Sequence, residues 1–244
     1  MCGFAGFVGE VENREQVLEN MIDTIIHRGP DSSGKFVDED AALGFRRLSI
    51  IDLSESGDQP LYNEDRSKVL VFNGEIYNYQ ELREELIQAG HTFVSNTDSE
   101  TLIHGYEQWG EELVYRLRGM YAFAIWDQKA KRLFSARDIF GIKPLYYAQM
   151  NGTLMFGSEI KSFLEHPKFD KVFNEDALGN YLSFQFVPTN ETFFKGVFCV
   201  QPGHYFVYEN GKMTIKRYFE PNFTGDTTKS FEEVVEEKKK VMKE

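Results

Sequence analysis

The sequence predicts a layered domain of mixed composition, in the α+β or α/β class. Three observations point there. Short apolar segments of strand-like composition recur along the chain. Helical segments with apolar residues on one face lie between them. Gly, Pro, Asn and Ser punctuate the joins. The 244 residues, 41% hydrophobic and 15% aromatic, are enough to bury a substantial core and too rich in aromatics for a disordered chain.

Residues 3–9 (GFAGFVG) read as a strand, with Phe4 and Phe7 among small residues. A helix is expected over 14–26, where Val17, Met21 and Ile25 share a face. HRGPDSSG at 27–34 has the composition of a loop. AALGFRRLSII at 41–51 reads as one strand or two, and KVLVFN at 68–73 as a buried strand. Asn78 with Glu81, and Thr97 with Glu100, have capping-box spacing, opening helices that run toward Gly90 and over 98–109. GMYAFAIWD at 119–127 is a strongly apolar strand; 132–137, 145–149 and 153–157 continue a meander. Short helices are expected at 158–166 and 175–184. Asn210-Gly211 inside 203–219 marks a type I′ hairpin turn. After about residue 220 the character changes to a linker and a charged helical segment, so the chain divides into a folded domain at 1–220 and the opening of a further domain at 221–244.

Charge and composition exclude several classes of function. A formal net charge of −12 disfavours nucleic acid and anionic membrane surfaces as partners. No apolar run is long enough to span a bilayer, and the N-terminus lacks the basic start of a signal peptide. With two cysteines, Cys2 and Cys199, no disulfide framework is expected and a cytoplasmic location is the default. The histidines at 27, 91, 104, 166 and 204 lie well apart in sequence with no metal-ligand spacing, so no metal is expected.

Cys2 directly follows the initiator. Removal of Met1 would leave one residue bearing a thiol and a free α-amine, whose reference pKa of about 7.7–8.0 suits it to accept the thiol proton. Position alone also allows a small buried residue opening a strand. Arg47, on a strand-like segment, has a fork that suits a carboxylate, or it pairs on the surface. Asn73-Gly74 ends an apolar strand, where the pair read alone is a turn signal. Asp98 in the first turn of a helix is favourable with the helix dipole whatever its other role. Cys199 between Phe198 and Val200 reads as core.

The blocks MCGFAG, HRGPD (27–31), RRLSIID (46–52), NGEIYNY (73–79), TDSE (97–100), LRGMYAFAIWD (117–127), RDIFGIKPLYY (137–147) and SEIK (158–161) occur in this order. Together they resemble the N-terminal glutaminase half of the glutamine-using asparagine synthetases, a class II glutamine amidotransferase of the N-terminal-nucleophile hydrolase type. The resemblance covers about residues 2–220. It implies a four-layer αββα sandwich and hydrolysis of L-glutamine to glutamate and ammonia through a thioester on Cys2. It assigns the oxyanion hole to the Asn73 amide and Gly74 N–H, the substrate carboxylate to Arg47, its ammonium to Glu75 and Asp98, and further pocket lining to Leu48, Ile50 and Ile51. His27 and Arg28, in a region serving as lid or support, are expected to be structural. The chain lacks the SGG-x-DS-type phosphate loop of the family's synthetase domain. ATP, Mg and asparagine formation from aspartate therefore belong to that domain in a longer parent, and this domain is expected to need no cofactor. A homodimer is left open. Two rival readings remain: a glutaminase domain serving another ammonia acceptor, and a silent glutamine-binding module.

Overall fold

The computed structural model describes residues 2–48, 57–225 and 228–243. The strands are β1 (Gly3–Val8), β2 (Ser32–Val37), β3 (Ala41–Arg47), β4 (Leu61–Tyr62), β5 (Lys68–Ile76), β6 (Gly119–Asp127), β7 (Arg132–Arg137), β8 (Tyr146–Met150), β9 (Thr153–Gly157), β10 (Val197–Cys199), β11 (His204–Glu209) and β12 (Lys212–Arg217). The helices are α1 (Arg14–Asp23), α2 (Tyr79–Gln88), α3 (Asp98–Trp109), α4 (Glu175–Phe184) and α5 (Phe231–Val241). The strands form two six-stranded sheets, ordered β10-β8-β9-β1-β3-β2 and β12-β11-β7-β6-β5-β4. The central pairings are antiparallel: β1 with β3 and β9 in one sheet, β5 with β6 and β6 with β7 in the other.

Side chains alternate along each strand, so a sheet covered on both faces needs apolar residues at every position. This explains the unbroken apolar runs. Ala122, Ala124 and Trp126 of β6 point between the sheets, where they join Phe4 of β1, Leu43 and Phe45 of β3, and Phe156 of β9. Tyr121, Phe123 and Ile125 of the same strand face outward onto Leu82 of α2 and Leu102, Ile103 and Tyr106 of α3. On the other sheet, Ala5 and Phe7 of β1 face Leu18, Met21 and Ile22 of α1. Three separate apolar clusters between four layers, two of sheet and two of helix, make the αββα sandwich, in the α+β class.

Most elements fall where the sequence places them, and the exceptions have local causes. The first helix stops at Asp23: the Thr24 hydroxyl donates to Met21 O at 2.7 Å, and a 3-10 turn follows at Ile26–Arg28. The expected loop at 27–34 is partly a strand, because Ser32–Gly34 pair with Phe45–Arg47 of β3; as an edge strand, β2 tolerates polar residues. Neither expected capping box forms at α2 or α3. Asn78 spends its side chain on Arg116 O and Arg118 N–H instead. Glu100 reaches past Thr97 to accept from Val94 N–H (2.6 Å), Ser95 N–H (2.7 Å) and the Ser95 hydroxyl (2.6 Å). Asn210 and Gly211 both take positive φ (50° and 74°), as the type I′ turn requires. A full capping box on Ser230 opens α5, yet none of its residues is buried. No helix among the described residues is long and apolar enough to cross a membrane.

Candidate functional site

Cys2 precedes β1, whose pairing to β3 brings Gly3 opposite Arg46 and so sets the chain start beside the end of β3. The Cys2 sulfur accepts from Leu48 N–H at 3.3 Å, and its thiol lies 3.6 Å from Leu48 O. Arg28 donates from Nε to Cys2 O at 3.0 Å, and from Nη1 to Glu159 Oε1 at 2.9 Å. His27 meets the same Glu159 oxygen at 2.9 Å. Phe4, two residues on, exchanges hydrogen bonds with Ser158: its N–H donates to Oγ at 3.1 Å and its carbonyl accepts Ser158 N–H at 2.9 Å. The HRGPD and SEIK blocks thus brace the N-terminal strand from either side, which fits a supporting role for His27 and Arg28. In the HRGPD block, a Cβ on Gly29 would run into the backbone of Arg46, so the turn needs glycine there to lie against β3.

The sulfur opens into a cavity of about 640 Å³ between the ends of the two sheets. Cys2, Arg47, Leu48, Asn73, Gly74, Glu75 and Asp98 all line it, joined by Gln59, Tyr79, Asn96, Thr97, Met120 and Lys143. Ile50 and Ile51, also expected here, lie outside the described residues. A second depression of about 630 Å³ lies beside α1, lined by Arg14, Glu15, Glu19 and Lys35. It holds no nucleophile, and Lys35 is paired with Glu15 and Glu19.

Asn73 and Gly74 are not a turn. They sit inside β5, paired with Ala122 and Tyr121 of β6. A Cβ on Gly74 would strike the Met120 carbonyl oxygen and come within 2.7 Å of Tyr121 Cα. Asn73 is 2% exposed, and its amide nitrogen is buried with no hydrogen-bond partner among the described residues. Such a donor is costly to leave unpaired, about 1–3 kcal/mol, and this one borders a cavity.

Arg47 is buried, and its Nη1 donates to Asp58 Oδ1 at 2.8 Å. The Ser32 hydroxyl donates to the same oxygen at 3.0 Å. Across the cavity, Asp98 opens α3 and accepts Ile76 N–H at 2.8 Å. Burial raises the pKa of Asp98 above the ordinary range; the Ile76 hydrogen bond pulls it back, and the charge of Glu75 raises it again. A cation between the two carboxylates would relieve both penalties. The cavity therefore offers a thiol, an unpaired neutral donor, a fixed guanidinium and a pair of carboxylates.

Residues 1–219 match the glutamine amidotransferase domain family. The chain belongs to that family. The glutamine-hydrolysing asparagine synthetase 1 of Bacillus subtilis strain 168 is 46% identical over 229 residues, covering 91% of this chain and 36% of its own length. Amidase chry2 of Gibberella zeae is 36% identical over 221 residues, covering 85% of this chain and 32% of its own. The chain spans about a third of the length of these curated relatives. Among solved structures, the glutamine phosphoribosylpyrophosphate amidotransferase from B. subtilis has the same fold, with a TM-score of 0.67 at 21% identity over 90% of this chain and 50% of that one.

In this amidotransferase domain, sequence reasoning did not single out Asp58, Gln59, Lys143 or Glu159. Asp58 and Gln59 lie beyond the RRLSIID block, outside the motifs that carried the resemblance. Gln59 clips the backbone of Phe72, donating from Nε2 to its carbonyl (3.1 Å) and accepting its N–H (2.6 Å), one residue before Asn73. Lys143 and Glu159 lie within blocks that carried the resemblance, which was a legible signal that those blocks have positioned residues.

Proposed function

We propose that this domain hydrolyses the side-chain amide of L-glutamine to glutamate and ammonia, with Cys2 as nucleophile. The buried, unpartnered amide nitrogen of Asn73, lining the same cavity as the Cys2 sulfur, carries the reading. A neutral donor held in wait beside a thiol is what a transient oxyanion needs.

The Cys2 sulfur attacks the amide carbon, and the free α-amine of the same residue takes the thiol proton. The Asn73 NH2 and Gly74 N–H receive the negative oxygen of the tetrahedral intermediate. The carbon–nitrogen bond breaks, the α-amine returns its proton, and ammonia leaves. Water then adds to the γ-glutamyl thioester, the carbon–sulfur bond breaks, and glutamate departs. Arg47, held by Asp58, takes the α-carboxylate, while Glu75 and Asp98 take the ammonium. This clamp demands a free amino acid and rejects glutamine within a peptide.

In a longer parent, the ammonia serves ATP-dependent synthesis of asparagine from aspartate, a reading supported by the name and length of the Bacillus subtilis relative. The similarity to a fungal amidase favours a second reading of that last step: the same hydrolysis feeding a different acceptor.

The test is glutamate release from glutamine by protein whose mass lacks Met1, beside Cys2→Ala. The variant is expected to lose all detectable hydrolysis while keeping its fold. Hydrolysis by Cys2→Ala at the unmodified rate refutes the mechanism.

A further inference from the structure

Outside the lining of the glutamine cavity, four side chains from three segments converge. Glu64 comes from the turn between β4 and β5, His91 from the connection after α2, and His104 and Glu107 from one face of α3. One ligand-type atom from each lies within 4.8 Å of all the others. The imidazole–carboxylate separations run from 3.3 to 3.9 Å, with Glu64 turning a different oxygen to each histidine. His91 Nδ1 is 3.3 Å from Glu64 Oε1 and 3.9 Å from Glu107 Oε2. His104 Nδ1 is 3.3 Å from Glu64 Oε2 and 3.4 Å from Glu107 Oε2. Four ligands at the vertices of a tetrahedron, each about 2.0–2.1 Å from a central zinc ion, stand about 3.3–3.4 Å apart.

The surroundings hold these atoms in place. His104 is 1% exposed, and its other ring nitrogen, Nε2, faces Glu100 Oε1 at 3.5 Å. That partner turns Nδ1 toward the cluster, as the outer carboxylate does for metal-bound histidines. Glu107 gives its second oxygen to Asn63 Nδ2 at 2.7 Å, with Lys68 Nζ at 3.8 Å, which leaves Oε2 for the centre. Glu64 Oε1 is fixed by Thr92 N–H at 3.2 Å.

We propose that Glu64, His91, His104 and Glu107 form a structural site for a divalent transition-metal ion, zinc above all. Two imidazoles and two carboxylates suit zinc, while magnesium and calcium take oxygen ligands almost throughout. Four protein ligands leave no open position, so the ion holds structure and does no chemistry. What it holds is the segment between His91 and Asp98. That stretch contributes Asn96 and Thr97 to the cavity wall and is tied to α3 through Glu100. Sequence spacing predicted no metal because the ligands are far apart in the chain. The His104-x-x-Glu107 pair, one turn apart on a helix, was the readable half.

The experiment uses purified protein stripped with a chelator and dialysed. Calorimetric titration with Zn2+ is expected to show one equivalent bound and a raised melting temperature. Co2+ substituted at the site should give the visible absorption of a four-coordinate ion. Glu64→Gln and His91→Asn alter exposed or half-buried positions and should keep the fold by circular dichroism. Each should weaken Zn2+ binding by at least ~10-fold. Absence of stoichiometric binding of Zn2+ and Co2+, or unchanged affinity in both variants, overturns the proposal.

Discussion

A polar group buried without a partner lowers stability, so its presence marks a place where something other than folding sets the residue. Asn73 is such a residue: a 2% exposed amide whose nitrogen has no partner in the described protein. Asn73→Ala removes that penalty along with some packing, and the two effects largely offset. The expected stability change is within about 1 kcal/mol, read by thermal or urea unfolding. The turnover number for glutamine should fall by about 10²–10³, the usual result of deleting one oxyanion donor. A fall below tenfold in a well-folded variant would remove Asn73 from the oxyanion hole. At this scale the sequence was readable in which motif residues would gather, since Cys2, Arg47, Asn73 and Asp98 all line one cavity. It was silent on Asp58, which reaches Arg47 from a separate segment, and on the convergence of Glu64 and His91 with His104. Those meetings depend on how whole elements pack, and local spacing does not record them.

Among the elements, the connection from β7 to β8 shows how a block of sequence becomes a rigid wall. Asp138 is fully buried and accepts the N–H groups of Tyr121 (3.2 Å), Phe140, Ile142 and Lys143 (3.0 Å each). Arg137 closes the loop from the other direction, donating to Lys143 O, Gly141 O and Val200 O at 2.6–2.7 Å. Between them they set Lys143 at the cavity edge. Asp138→Ala would strand two buried and two part-buried N–H groups at once, at a cost of roughly 3 kcal/mol. A shift of the urea midpoint checks this, and a loss below about 1 kcal/mol would mean that the loop is held by something else. Elements of strong periodicity, such as β6 and α3, were legible to the residue. The failures came where a polar side chain had a tertiary partner to prefer. Asn78 abandons its cap for Arg116 and Arg118, and Ser32–Gly34 trade loop for strand because β3 offers an edge.

For the whole molecule, the three apolar layers close without α5. None of that helix's residues is buried: Phe231 is 78% exposed and Met242 likewise 78%. Its hydrogen bonds are a local capping box and pairs such as Lys229 with Glu237, which are worth little in solvent. By contrast, Tyr218, near the end of the sandwich, is anchored through its hydroxyl to Tyr121 at 2.8 Å and to Arg137 O at 2.6 Å. We predict that the folding unit ends near residue 220: a chain cut there should melt within about 2 °C of the uncut one, since surface changes seldom exceed about 0.5 kcal/mol. Glutamine hydrolysis should continue at a similar rate, because none of the described residues beyond 220 lines the cavity. Calorimetric melting of the two chains side by side decides it. A drop of more than 5 °C would show that α5 docks on the sandwich in solution, and would move the domain boundary to the far side of that helix.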